Sequence, residues 1–204
     1  MLVFKDFELM NHSELILSIE DLTLNSGDFY YICGKNRSGK SLLLSLINNT
    51  YHNYRGEVKY KDRNIDDRFF HEKIRLIRDT AAIFPTLSIE ENILLGIKDK
   101  NQKKIIEECV PLLSKFKLGF NKNLNCSKLS SSELKIIEII RGYIQKPYML
   151  LIDDIDNYFD TEYFEGIYNL INQMKQNGTL IIASGKSLLQ NEKQLIIKDH
   201  KLEY

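Results

Sequence analysis

Three prolines in 204 residues leave the chain few places to break, and no Pro/Gly linker, internal repeat or low-complexity tract divides it. Such a chain suits one domain, with at most a subdomain, and is long enough to bury a real core. Cysteine is just as scarce. Cys33, Cys109 and Cys126 stand far apart without metal-ligand spacing. An odd, scattered set argues against a disulfide framework and fits reduced thiols in a cytoplasm. Charge of one sign is missing too: 28 basic side chains balance 28 acidic ones, so no bulk field points to nucleic acid or an anionic membrane. No apolar run approaches the ~20 residues of a membrane helix, and the opening MLVFKDFELM lacks a signal-peptide layout. These absences predict a cytoplasmic protein whose only route to a membrane is through a partner.

What is present is an alternation of two periodicities. LVFKDFEL and ELILSIEDLTL read as strands, followed by a turn at Ser26-Gly27-Asp28 and the apolar strand FYYIC. SLLLSLINN reads as a helix, GEVKYKD as an exposed strand and KIRLIR as another strand candidate. From about Ser88 to Gln145 the pattern is helical, and Pro111 is expected to kink or divide KKIIEECVPLLSKF. SSSELKIIEIIRGYI places Leu134, Ile136, Ile137, Ile140 and Ile144 on one helical face. YMLLI returns to strand, EYFEGIYNLINQM to helix and TLIIA to strand, and QLIIKDHKLEY suggests a hairpin turning at Asp199-His200. Strands alternating with helices predict an α/β fold, a parallel sheet wound on both sides, with a mostly helical insert in its middle.

Residues 34–41, GKNRSGKS, match the P-loop pattern G-x-x-x-x-G-K-[ST] between an apolar strand and a helix. Gly34 and Gly39 let the backbone close around phosphate, and the amides of Lys35, Asn36, Arg37 and Ser38 and the helix N-terminus face the anion. Lys40 supplies a cation for the β- and γ-phosphates and is expected to be exposed until ligand arrives. The Ser41 hydroxyl can ligate Mg²⁺. The alternative, a Gly/Ser-rich turn opening an ordinary helix, fits this context poorly. A P-loop also needs an acidic residue at the end of a neighbouring strand. YMLLIDD, 148–154, has the form of a buried strand that ends in charge. Asp153 then supports the metal, and Asp154 faces the γ-phosphate and the attacking water.

The anchors GKNRSGKSLLL, IFPTLSIEENI and KLSSSELKIIEIIRGYIQKPYMLLIDDIDNYFD, in this order and spacing, resemble the nucleotide-binding subunits of ABC (ATP-binding cassette) systems. The resemblance covers nearly the whole chain. It implies a P-loop NTPase core, a mixed and mostly parallel sheet flanked by helices, with an N-terminal antiparallel β part. That core would span 1–80 and 146–204, with a helical subdomain at about 81–145. It further implies ATP and Mg²⁺ as ligands and a homo- or heterodimer that sandwiches ATP between one P-loop and the other chain's signature motif. Separate transmembrane subunits would then hold the chain on the inner face of a membrane.

Residue by residue, the match is uneven. Leu42 stands where a Thr is usual. Asp79 occupies the position of a Gln that senses Mg²⁺ and γ-phosphate; it keeps the reach to a metal but loses the amide donor. The signature aligns with Leu129–Glu133, LSSSE, so Ser130 and Ser132 become the phosphate-facing serines. Ser131 and Ser132 add side chains where the family has glycines, and Glu133 brings negative charge toward an anion. Ser130-x-x-Glu133 is also a capping box that opens a helix, and both readings hold together. Asp154 stands for the catalytic Glu, with a carboxylate set back by roughly 1.3–1.5 Å, whereas a base must come within about 3 Å of its water. Asn157–Asp160 aligns with the D-loop, and Gly185 stands where a His contacts the γ-phosphate. Asn11-His12 lies near the adenine-stacking position, with His12 as the candidate.

These residues predict an ATP-binding subunit that closes as a dimer to drive or gate a membrane partner with reduced hydrolysis. The alternative is a regulatory or scaffold module that binds ATP but barely turns it over. The acidic strand following the LSSSE helix argues against a P-loop kinase. A chain of this length has no room for the coiled coil of DNA-repair relatives.

Overall fold

The computed structural model describes every residue except 71, 79, 99–100, 119–123, 159–162, 187–191 and 204, and only the backbone of 69, 157 and 158. Its strands are β1 (Leu2–Asn11), β2 (Glu14–Leu24), β3 (Phe29–Gly34), β4 (Tyr54–Tyr60), β5 (Arg63–Asn64), β6 (Ile74–Ile77), β7 (Met149–Ile152), β8 (Leu180–Gly185), β9 (Lys193–Lys198) and β10 (Lys201–Glu203). The helices are α1 (Lys40–Ile47), α2 (Ile89–Leu94), α3 (Gln102–Lys115), α4 (Ser131–Gln145) and α5 (Phe164–Gln176). The strands form one mixed sheet in the order β5-β4-β1-β2-β10-β9-β3-β8-β7-β6.

Two compact units divide the chain. The first holds Met1–Leu76, Pro147–Asp156 and Met174–Tyr204; the second holds Ile77–Lys146 and Asn157–Gln173. In the first unit, β1 pairs antiparallel with β2 and β4, and alternation buries Leu2, Phe4, Phe7 and Leu9. The period slips once, where the β1–β4 register shifts between Lys5 and Glu8, so Phe4 and Phe7 face the same core despite their odd spacing. β3 runs parallel to β8 and β9, and β7 runs parallel to β8. β7 and β8 are buried along their whole length, and β3 from Phe29 to Cys33, which is why these segments read as apolar runs rather than alternating ones. Because β3, β7 and β8 are parallel neighbours, their C-terminal ends meet on one edge of the sheet. That edge is where ligands bind in open α/β sheets. The hairpin β9–β10 turns at Asp199 and His200, both with positive φ (47° and 63°).

In the second unit, capping boxes open α2 (Ser88 with Glu91) and α4 (Ser130 with Glu133). The fully buried Asn92 amide bonds both the N–H and the carbonyl of Phe84 at 2.9 Å, which fixes the FPTLS loop onto α2. Two expectations change here. α3 is one continuous helix through Pro111, so of the expected kink or division the division does not occur. The missing amide and ring clash cost about 3 kcal/mol, and the buried flanking residues Ile106, Cys109 and Leu113 offset it at about 1.5–3 kcal/mol for each fully buried apolar side chain. α4 is also buried beyond the predicted stripe: Lys135 and Glu138 lie inside with Ile139. Charged side chains tolerate that only when paired, and Lys135 Nζ lies 3.4 Å from Glu138 Oε2.

Candidate nucleotide-binding site

β3 delivers the chain to Gly34, and the loop after it folds back, with Ser38 N–H donating to the Lys35 carbonyl at 3.2 Å. Both glycines are needed for space. A Cβ on Gly34 would lie 2.7 Å from Ser38 Oγ; one on Gly39 would lie 2.6 Å from Ile16 Cγ2, on a backbone with φ 98°. Gly39 also caps α1 without a side-chain hydrogen bond, so no side chain satisfies the first amides of that helix. The Ser38 hydroxyl is sealed from solvent and has no hydrogen-bond partner among the described residues. A partnerless hydroxyl beside a helix start that no side chain caps is chemistry that suits an anion.

Lys40 departs from its expectation. It is buried, 7% exposed, and its ammonium donates to the carbonyls of Gly34 (3.0 Å) and Lys35 (3.2 Å). The loop itself supplies two acceptors at the first turn of the helix, and a cation folded back onto them is partly solvated by the protein. Lys35, Asn36 and Arg37 remain exposed, Arg37 with φ 65°.

Asp153 follows β7, and its Oδ1 accepts from Ser41 Oγ at 3.0 Å and from Ser184 Oγ at 2.7 Å. Ser184 Oγ in turn accepts the Asp154 N–H at 3.0 Å. Asp154 itself has φ 47°, a backbone that Asp and Asn adopt more readily than longer side chains. Thus the P-loop, Ser41, Asp153 and Asp154 come together at the shared strand edge, with Ser184 as a bridge that sequence reading missed. Its signal was present: a lone hydroxyl in the otherwise apolar run LIIASG.

Beside this bridge, Tyr31 Oη donates to Asp156 Oδ1 at 2.8 Å, and Asp156 Oδ2 accepts the Lys186 N–H. Burial and the Asp156 carboxylate push the Tyr31 phenol well above its ordinary pKa, so it stays a donor. Burial also raises the Cys33 thiol, helped by Asp156 and opposed by Lys40.

A model of the ABC transporter family matches residues 17–157. The chain belongs to the ABC transporter family. It is 28% identical over 201 residues to the phosphate import ATP-binding protein PstB of Saccharolobus solfataricus, covering 87% of this chain and 78% of that one. Against ABC transporter B family member 13 of Arabidopsis thaliana it is 24% identical over 202 residues, covering 94% of this chain but only 16% of that protein. A solved structure titled as the ATP binding subunit of an ABC transporter superposes with a TM-score of 0.85 at 18% identity, over 100% of this chain and 88% of that one, which shows the shared fold.

The remaining ABC motif positions are uneven. In the second unit, exposed Ser130 caps α4: the Glu133 N–H donates to its hydroxyl at 3.3 Å. That hydroxyl donates to Glu133 Oε2 at 2.7 Å, and the same oxygen accepts the Ser130 N–H at 2.7 Å. Ser131 is exposed and Ser132 half-buried. Asp79 lies outside the described residues, as does the D-loop position Asp160; of Asn157 only the backbone is described. His12 sits exposed at the β1–β2 turn with φ 53°, its ring beside Asn11 Oδ1 at 3.1 Å. Among the described residues no group of three or more His, Cys, Asp or Glu could cage a metal, and no helix is long and apolar enough to cross a membrane. A P-loop needs no such cage: Mg²⁺ keeps waters and phosphate oxygens, and one hydroxyl with one carboxylate is a fitting hard-oxygen donor set.

Proposed function

We propose that this chain is the ATP-binding subunit of a membrane transport assembly, taking Mg·ATP at residues 34–41. The carrying observation is the Ser41 Oγ–Asp153 Oδ1 pair, 3.0 Å apart at the mouth of the loop. In this reading Ser41 and Asp153 hold Mg²⁺, with Asp79 as a further contributor. The metal's contribution is to neutralise charge between the β- and γ-phosphates. Lys40 leaves the carbonyls of Gly34 and Lys35 for the phosphates, and Asp154 serves as a short-armed base. Ser130 and Ser132 face the nucleotide of a second cassette, in a homo- or heterodimer, and residues 81–145 act as the helical subdomain through which closure reaches separate membrane subunits. The relative named for phosphate import supports a transport setting.

Two observations favour a second reading, a module that binds ATP and barely hydrolyses it. The Ser130 hydroxyl already serves a carboxylate, and Gly185 carries no imidazole.

Binding of a fluorescent ATP analogue tests the proposal. Lys40→Ala should weaken binding in Mg²⁺ by about tenfold or more, the size of a charge-assisted hydrogen bond lost to phosphate. Equal affinity in wild type and variant, at matched Mg²⁺ and salt, refutes the site.

A further inference from the structure

Tyr31 and Gly185 belong to neighbouring parallel strands, with Tyr31 opposite Ala183 and Cys33 opposite Gly185. Residues two apart on a strand share a face and stand roughly 6.6 Å apart. A tyrosine ring laid along β3 from position 31 therefore reaches the level of Gly185. A Cβ on Gly185 would lie 1.8 Å from Tyr31 Oη and 2.7 Å from Asp156 Oδ2. Tyr31 is fully buried, so its ring has no solvent to swing into. The space in front of residue 185 is filled, and the filling hydroxyl is bonded to a carboxylate on the turn that follows the metal aspartate.

That carboxylate also takes the Lys186 N–H, while Ser184 Oγ joins Asp153 and Asp154. The stretch 153–156 is therefore fastened to 184–186 at two points, one on either side of Gly185. We propose that Tyr31 and Asp156 are positioning residues, a buried latch that takes the place of a side chain at 185 and holds the Asp153–Asp154 turn in register for Mg²⁺ and nucleotide. The latch rests on the nucleotide reading above and adds residues to it that no motif contains. It also makes Gly185 obligatory: an imidazole cannot be restored there while Tyr31 stays. The loss of the histidine and the presence of the tyrosine are one replacement.

The test uses the full chain and a fluorescent ATP analogue titrated in EDTA and in saturating Mg²⁺, with melting curves alongside. The ratio of the two affinities reports the metal-dependent part of binding. Tyr31→Phe and Asp156→Ala should each reduce that ratio by about fivefold, the scale of one lost hydrogen bond, with the affinity in EDTA held within about twofold. The double variant should lose no more than the worse single one, because both break the same latch. Gly185→Ala, whose methyl displaces Tyr31 Oη, should give the same loss. Lower melting temperatures with an unchanged ratio would reduce the pair to structural support and overturn the proposal, as would fully additive losses. A wild type that binds no analogue in either condition would instead bring down the nucleotide reading, and the latch's role with it.

Discussion

Glu133→Gln separates what the α4 capping turn does for stability from what it does to an anion. In the structure Glu133 Oε2 accepts both the Ser130 N–H and the Ser130 hydroxyl at 2.7 Å. Glutamine keeps a capping-box acceptor but removes the charge from the helix N-terminus, which is worth about 0.3–1 kcal/mol. It also replaces charge-assisted bonds with neutral ones of roughly half the strength. A total near 1 kcal/mol lowers the melting temperature of a chain this size by about 2–4 °C. The effect on an incoming triphosphate has the opposite sign. One carboxylate about 6 Å from one phosphate charge costs roughly 0.7 kcal/mol in water and roughly 3 kcal/mol at an effective dielectric of 20. Taking about 1 kcal/mol, ATP-dependent association of two cassettes should tighten about fivefold. Sedimentation velocity in Mg·ATP, with melting curves of the same samples, reads both quantities. Ser130→Ala is the companion: it removes cap and hydroxyl together and should lower both. If Glu133→Gln melts lower and associates no better than wild type, the helix end does not face phosphate, and the turn is a cap alone.

Three further substitutions test one group that the structure reveals, the buried Lys135–Glu138 pair, and one that the motifs name, Asp154. Lys135→Met strands the buried Glu138 with Arg141 Nη2 4.0 Å from its Oε1, and should cost about 3 kcal/mol, the low end for breaking a buried pair. Burial raises the Glu138 pKa, against the pull of Lys135, the Ala82 amide and Arg141. Its folded value lies above its unfolded one, so the folded state binds more protons and gains stability as pH falls through that window. Without Lys135 the value climbs further, and the variant's deficit in urea denaturation should shrink from pH 8 to pH 5; a constant deficit refutes the assignment. Asp154→Glu should raise ATP turnover by restoring reach, yet melt about 2–4 °C lower, since a longer side chain at φ 47° costs about 1 kcal/mol. Asp154→Asn suits that backbone and should keep the melting temperature while lowering hydrolysis; unchanged hydrolysis in both variants means that another residue activates the water.

The parts legible in the sequence share a physical property: their signals are local. The P-loop needs eight consecutive residues between a strand and a helix, the α4 cap needs four, and the last hairpin needs two residues that tolerate positive φ. Buried parallel strands announce themselves as unbroken apolar runs. What stayed hidden depends on distant segments or on competition between partners. Lys40 reads as exposed when phosphate is taken as its acceptor, whereas the loop's own carbonyls bind it first. The intrinsic cost of Pro111 shows in the sequence, whereas the burial that offsets it depends on tertiary packing. Asp79 falls outside the described residues, so its expectation stands as a proposal.

The same contrast gives the family departures a common form. Gly185 admits the Tyr31 ring, whose hydroxyl bonds Asp156 across 125 positions of sequence. Asp154 adopts a backbone that favours a short side chain and passes its amide to Ser184. Glu133 bonds the hydroxyl that the resemblance assigns to phosphate. In each case a polar group that the resemblance assigns to nucleotide is absent, shortened or already bonded, and the polar groups beside it are bonded to one another. An unsatisfied buried group costs about 1–3 kcal/mol, so losing a phosphate-facing side chain by simple deletion would leave orphaned neighbours. The neighbours here are satisfied: Tyr31 by Asp156, Asp156 by Lys186, Ser184 by Asp153 and Ser130 by Glu133. Among the described residues the buried Ser38 hydroxyl has no hydrogen-bond partner and no side chain caps the start of α1, and both line the cradle. Satisfaction at these motif positions, beside an unpartnered hydroxyl in the binding loop, supports the second reading proposed above, a module that holds nucleotide more than it consumes it.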